Sequence, residues 1–138
     1  MSARDIIHNS VKNALIKDGW IITHDPFTIQ YKELKLSADL GAERPIAAQR
    51  QGKKIVVEIK SFIGRSAVQD FKLALGQYNL YLGLLEVTAP DRQLYLAISD
   101  IVYLDLFEGE AIRLILNRFN VLLVVVNVVR QEVVRWID

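Results

Sequence analysis

Four residues stand in an order that could do phosphodiester chemistry: Asp39, then Glu58 and Lys60 one residue apart, then Gln77. Glu58-Ile59-Lys60 closes the run Lys54 to Ser61, in which Ile55, Val57 and Ile59 alternate with Val56, Glu58 and Lys60. That period of two predicts a strand with Glu58 and Lys60 on one face, about 6.6 Å apart at ~3.3 Å per residue. A carboxylate and an ammonium at that separation can border a pocket that holds a metal ion and a water. Hydrolysis of a phosphodiester needs that combination. The ion acidifies the attacking water and offsets phosphate charge, and a lysine steadies the nucleophile or the transition state. One carboxylate is rarely enough for a hard cation. Asp39, upstream at the end of a predicted strand, can converge on Glu58 across a hairpin. Read alone, Glu-x-Lys equally describes an ordinary ion pair where a strand emerges into solvent. The next segment adds Gln77 and Tyr81, one turn apart on one helix face.

The elements that must position these residues follow from periodicity. Residues 3 to 18 read as a helix, because Ile7, Val11, Ala14 and Leu15 make an apolar stripe and Asp18-Gly19 supplies a stop. Trp20 to Thr23 reads as a short strand, Asp25-Pro26 as a turn, and Thr28 to Leu40 as one or two strands. Pro45 opens an extended piece, Ile46 to Arg50, with Gln51-Gly52-Lys53 as a hairpin turn. Ser66 with Gln69 three residues on is a capping-box signature. It opens a helix to about Leu85, followed by Pro90. Gln93 to Ile98 reads as a strand, and Ser99 to Asn117 as a helix in two pieces around Gly109. Val121 to Val126 and Glu132 to Ile137 read as closing strands. This order predicts one α/β domain over residues 1–138, a mixed sheet flanked by helices.

Composition narrows the chemistry. The 138 residues include no cysteine and two histidines, His8 and His24. Thiolate zinc sites, cysteine nucleophiles and His-rich metal sites are excluded. A metal here must be held by oxygen, which points to magnesium, manganese or calcium. Residues 1 to 72 carry 12 Lys+Arg against 8 Asp+Glu, and residues 73 to 138 carry 5 against 8. The basic N-terminal half suits an anionic partner, though scattered surface charge produces the same imbalance. The longest uncharged runs, Leu73 to Leu85 and Phe119 to Val129, fall short of the roughly 20 residues a membrane span needs. The expectation is a cytoplasmic protein with no membrane association.

Asp39, Glu58-x-Lys60 and Gln77-x-x-x-Tyr81 together resemble the PD-(D/E)xK nuclease superfamily, in the branch with a Q-x-x-x-Y helix. Further blocks resemble the XisH family of excision-controlling factors. These are Arg4-Asp5-x-x-His8, Asp18-Gly19-Trp20-x-Ile22-Thr23-x-Asp25-Pro26, Ala38 to Glu43, Val57 to Phe62, Gln93 to Ala97, and the closing Trp136. The resemblance implies a restriction-endonuclease-like fold and a role in programmed excision of a DNA element, alongside a site-specific recombinase and a small companion factor, XisI. It implies Asp39 and Glu58 as ligands of Mg²⁺ or Mn²⁺, with the carbonyl of Ile59 as a third. Lys60 becomes the catalytic lysine, Gln77 orients it or the scissile phosphate, and Tyr81 supports the helix or contacts substrate. Ala38 stands where the superfamily motif has a proline before the acid, a proline that is often absent in the superfamily.

Two functional readings follow. One is a metal-dependent deoxyribonuclease acting through Asp39, Glu58, Lys60 and Gln77. The other is a non-catalytic accessory factor that binds DNA, a recombinase or a companion protein. A homodimer is a further expectation, since single-site nucleases pair to cut two strands. His8 is a candidate for the site or a partly buried, hydrogen-bonded histidine. Glu43 is an outer-sphere acid or a loop carboxylate paired with Arg44 or Lys35. Arg50, Lys53, Lys54 and Arg65 flank the site in sequence and suit phosphate contacts, although a solvated turn explains Lys53 and Lys54 as well. Val121 to Val129 reads as a buried strand or as a sheet edge open to pairing.

Overall fold

The computed structural model describes residues 2–45 and 52–138. The predicted extended piece Ile46 to Arg50, and Gln51 of the predicted turn, lie outside the described residues. Helix α1 (Ala3–Lys17) is capped by Ser2, whose hydroxyl accepts the Asp5 N–H at 3.2 Å. It buries the expected stripe of Ile7, Val11, Ala14 and Leu15. There follow β1 (Ile21–His24), β2 (Phe27–Tyr31), β3 (Leu34–Ala38), β4 (Leu40–Arg44) and β5 (Lys53–Ile59). Helix α2 (Ala67–Thr88) leads to β6 (Arg92–Ser99). A short α3 (Asp100–Val102) runs into a π-helical stretch, Tyr103–Phe107, before α4 (Glu110–Arg118), β7 (Leu122–Asn127) and β8 (Glu132–Ile137).

Six strands form one mixed sheet in the order β1-β4-β5-β6-β7-β8, and β2 with β3 forms a separate two-stranded sheet. The β5–β6 and β6–β7 pairs are parallel and the outer pairs antiparallel. The parallel strands are covered on both faces, which is why β5 to β7 read as nearly unbroken apolar runs. On one face α2 packs Phe71, Tyr78 and Leu85 against Val56, Leu94 and Leu96. On the other, α1 packs Val11 and Leu15 against Ile55, Val57, Tyr95 and Val124. Tyr78 ties the layers together, its hydroxyl donating to the Leu94 carbonyl at 2.8 Å and accepting the Leu122 N–H at 3.1 Å.

Thr28 to Leu40 resolves into two strands turned at Lys32, whose φ of 51° makes the tight reversal. Strand β4 was not legible, because Gly41, Ala42, Glu43 and Arg44 are poor strand formers. Tertiary contact selects them. A Cβ at Gly41 would stand 2.7 Å from Phe27 Cδ2 and 3.0 Å from His24 Nδ1. The helix after Ser99 breaks at Gly109 as expected. The edge reading of Val121 to Val129 is corrected: β7 lies between β6 and β8, and its apolar residues fill both cores. The edge on that side is β8, whose Glu132 and Arg135, with a register shift at Val125/Val126, blunt it against pairing.

Candidate active site

The site forms where the β4–β5 ladder stops. That ladder ends at Leu40↔Val57, while β6 follows β5 further, to Ile59↔Ala97, with Lys60 N–H donating to the Ala97 carbonyl at 3.0 Å. Beyond Val57 the β4-side edge of β5 has no strand partner among the described residues. Asp39, in the bend between β3 and β4, takes that place: its Oδ2 accepts the Ile59 N–H at 2.8 Å. In an extended strand the N–H and C=O of one residue point to the same side, so the Ile59 carbonyl also faces the Asp39 side. The period of two puts Ile55, Val57 and Ile59 in the α1-side core and Val56 in the α2-side core. Glu58 and Lys60 therefore project toward α2.

Four predicted residues, Asp39, Glu58, Lys60 and Gln77, border one cavity of about 490 Å³, together with Ile59. Lys60 Nζ lies 3.5 Å from Glu58 Oε2. Glu58 is only 6% exposed, and its Oε1, like Gln77 Oε1, is buried without a hydrogen-bond partner among the described residues. Burial, then the facing Asp39 carboxylate, push the Glu58 carboxyl up to about 8, against the pull of Lys60. Tyr81 stands behind the pair, its hydroxyl donating to the Ser37 carbonyl at 3.3 Å. Burial, with Glu58 and Asp39 nearby, raises that phenol to about 12.

His8 reaches the same cavity from α1. Its Nε2–H donates to Asp25 Oδ1 at 2.9 Å, and its Nδ1 lies 3.7 Å from Asp39 Oδ1. The histidine is thus hydrogen-bonded, half-buried and at the site at once. Lys12 Nζ also binds Asp25, at 2.8 Å, and this hydrogen bond, helped by His8, holds the Asp25 carboxyl below its ordinary range. Glu43 does not join the site. It lies at the far end of β4, 3.4 Å from Arg92, and pairs with neither Arg44 nor Lys35. Lys53 and Lys54 likewise sit at the opposite end of β5, Lys53 against Tyr95 and Lys54 3.5 Å from Asp91. Arg65 follows the site strand in the exposed segment before α2, and Arg50 lies outside the described residues.

Sequence reasoning missed Arg4, Asp5 and Ser61 as lining residues, and Asp25 as the holder of His8. The spacing of Arg4 and His8, one helical turn apart, was the available signal. Among the described residues no three His, Asp or Glu side chains are grouped to hold a metal by themselves. The carboxylates of Asp39 and Glu58 and the carbonyl of Ile59 are oxygen donors of the kind that suits Mg²⁺ or Mn²⁺. An unpartnered carboxylate oxygen, buried against a second carboxylate, fits a cation: bound charge would supply the partner that Glu58 Oε1 lacks.

The profile of the family described as "XisH protein" matches residues 1–134. The chain belongs to the XisH family. No curated protein matches it. Two solved structures resemble this XisH protein over nearly its whole length. An XisH family protein from Nostoc punctiforme PCC 73102 is 37% identical, with a TM-score of 0.89, covering 97% of this chain and 100% of its own. An fdxN element excision controlling factor protein from Anabaena variabilis is 40% identical, with a TM-score of 0.87, covering 98% and 100%. This XisH protein therefore shares their mixed α/β fold. Among the described residues, it has no helix long and apolar enough to cross a membrane.

Proposed function

We propose that this XisH protein is a Mg²⁺- or Mn²⁺-dependent deoxyribonuclease of the PD-(D/E)xK type, with a restriction-endonuclease-like fold, acting in excision of a DNA element. The observation that carries the reading is the convergence of Asp39, Glu58, Lys60 and Gln77 on one cavity, with Glu58 Oε1 and Gln77 Oε1 buried and, among the described residues, unpartnered. When bound, the ion supplies Lewis acidity to the phosphate and lowers the pKa of water. Asp39 and Glu58 hold it, with the Ile59 carbonyl as third donor. The Lys60 ammonium offsets charge developing on the phosphate. Gln77 presents its amide to Lys60 or to the phosphate, and Tyr81 fixes α2 behind the acids. His8, anchored by Asp25, borders the phosphate pocket from α1. The name of the Anabaena relative supports DNA excision as the setting. The partners in that setting are DNA, a site-specific recombinase and XisI.

The word "controlling" in that name favours a second reading, a non-catalytic factor that binds DNA or a recombinase through the same fold. Nicking of supercoiled plasmid and single-stranded DNA in Mn²⁺ separates the two. Wild type should cleave, and a Glu58→Ala, Lys60→Ala double variant should not. Equal cleavage by both would remove the site assignment, and intact DNA with both proteins would favour the accessory reading.

A further inference from the structure

Helix α2 has a second face that the fold leaves unpartnered. Opposite the core residues Ala74, Tyr78, Tyr81 and Leu85, it exposes Leu73, Leu80 and Val87, at 64%, 48% and 60%. Their spacing of seven is a coiled-coil seam repeat. Between them, also seven apart, lie Gly76 and Gly83. Glycine is the poorest helix former after proline, yet a Cβ at either position would meet nothing within 4 Å. Among the described residues, nothing gives a steric reason for glycine at these two sites. Close approach of another helix gives one.

The face is complementary to itself. Its two charged residues, Lys72 and Glu86, form no ion pair among the described residues. An antiparallel twofold crossing centred between Asn79 and Leu80 sets Lys72 beside the partner's Glu86, and Glu86 beside the partner's Lys72. The same crossing puts Leu73 near the partner's Val87 and Gly76 opposite the partner's Gly83. Each Leu80 then enters a hole whose four corners are Gly76, Asn79, Leu80 and Gly83, and the two glycines make that hole deep enough for a leucine. We infer that the exposed face of α2 docks a second copy of this chain, antiparallel and twofold, through Leu80 seated between Gly76 and Gly83. The surface is separate from the candidate site, and the inference stands whether or not that site cleaves DNA.

Sedimentation equilibrium between about 1 and about 200 µM, where interfaces below standard size dissociate, tests this directly. Wild type should associate to a dimer. Lys72→Glu should weaken it about tenfold, since two like-charge contacts replace two ion pairs. Lys72→Glu with Glu86→Lys together should restore association to within about threefold of wild type. Gly76→Leu, which has open space in the monomer, should keep the far-UV spectrum and abolish the dimer. A monomeric wild type over this range would overturn the inference, leaving a helix of another protein as the occupant. So would a dimer unmoved by Lys72→Glu, or one that the charge swap fails to restore.

Discussion

Replacing Glu58 by glutamine keeps the side chain's shape and removes its ionisation, and the structure fixes the sign of the result. Glu58 is buried with Asp39 facing it, and its carboxyl is raised from 4.5 to about 8. In the metal-free protein the folded state therefore holds a proton that the unfolded chain has released. Its stabilising effect is full below the unfolded value and is lost as pH rises through the folded one. One proton of difference is worth about 1.4 kcal/mol per pH unit. Between about pH 5 and pH 7 the wild type should lose roughly 2 to 3 kcal/mol from this group alone. Glutamine has no proton to lose. In urea titrations with EDTA, the two proteins should be similar near about pH 5 and diverge above it, the variant becoming the more stable. Titrations of groups distant from Glu58 are common to both and cancel in the comparison. Added Mn²⁺ should stabilise wild type increasingly as pH rises, because the ion displaces that proton, and should act weakly on the variant. Parallel pH profiles, or a glutamine variant less stable than wild type at about pH 8, would refute the placing of a raised carboxyl between Asp39 and the core.

Three further outcomes follow from the packing. Tyr78→Phe strands the Leu94 carbonyl and the Leu122 N–H inside the protein. It should cost about 2 kcal/mol by chemical denaturation. Asp25→Ala frees Lys12 and His8. Because the Asp25 carboxyl is lowered, its stabilisation is present at neutral pH and lost as pH falls. The variant should melt lower at neutral pH, by less than about 1 kcal/mol for this partly exposed pair, and match wild type in acid. Gly41→Ala drives a methyl into Phe27 and His24. It should cost about 1 to 3 kcal/mol and speed amide exchange at Ile59, whose N–H Asp39 holds.

The parts legible in the sequence are those whose side-chain period matches their own element. The alternation through Lys60 and the stripe from Ile7 to Leu15 placed β5 and α1 without any knowledge of their neighbours. The convergence of Asp39 on Glu58 was also legible, because the end of one strand and the end of another are joined by a hairpin-like path. Strand β4 was not, since its residues are chosen by what they touch: Gly41 by Phe27, Glu43 by Arg92. Glu43 illustrates the limit of spacing arguments. Four residues of extended chain carry it about 13 Å from Asp39, to the other end of the sheet. Asp25 was invisible as the anchor of His8, because the contact joins α1 to a turn 17 residues away that no periodicity connects.

The small β2–β3 sheet has a consequence for how the site is positioned. Asp39 belongs to neither sheet; it sits at the seam where the chain leaves one and enters the other. Among the attachments of that seam are the buried Ala38, the Tyr81 hydroxyl on the Ser37 carbonyl, the Ile59 N–H on Asp39, and His8 Nδ1 at 3.7 Å from Asp39 Oδ1. A two-stranded ribbon is marginally stable alone, and here Phe27, Ile29 and Ala38 bury it in the same core as Tyr78 and Tyr81 of α2. The position of Asp39 opposite Glu58 is therefore set by packing between ribbon and helix as much as by the strands of the main sheet.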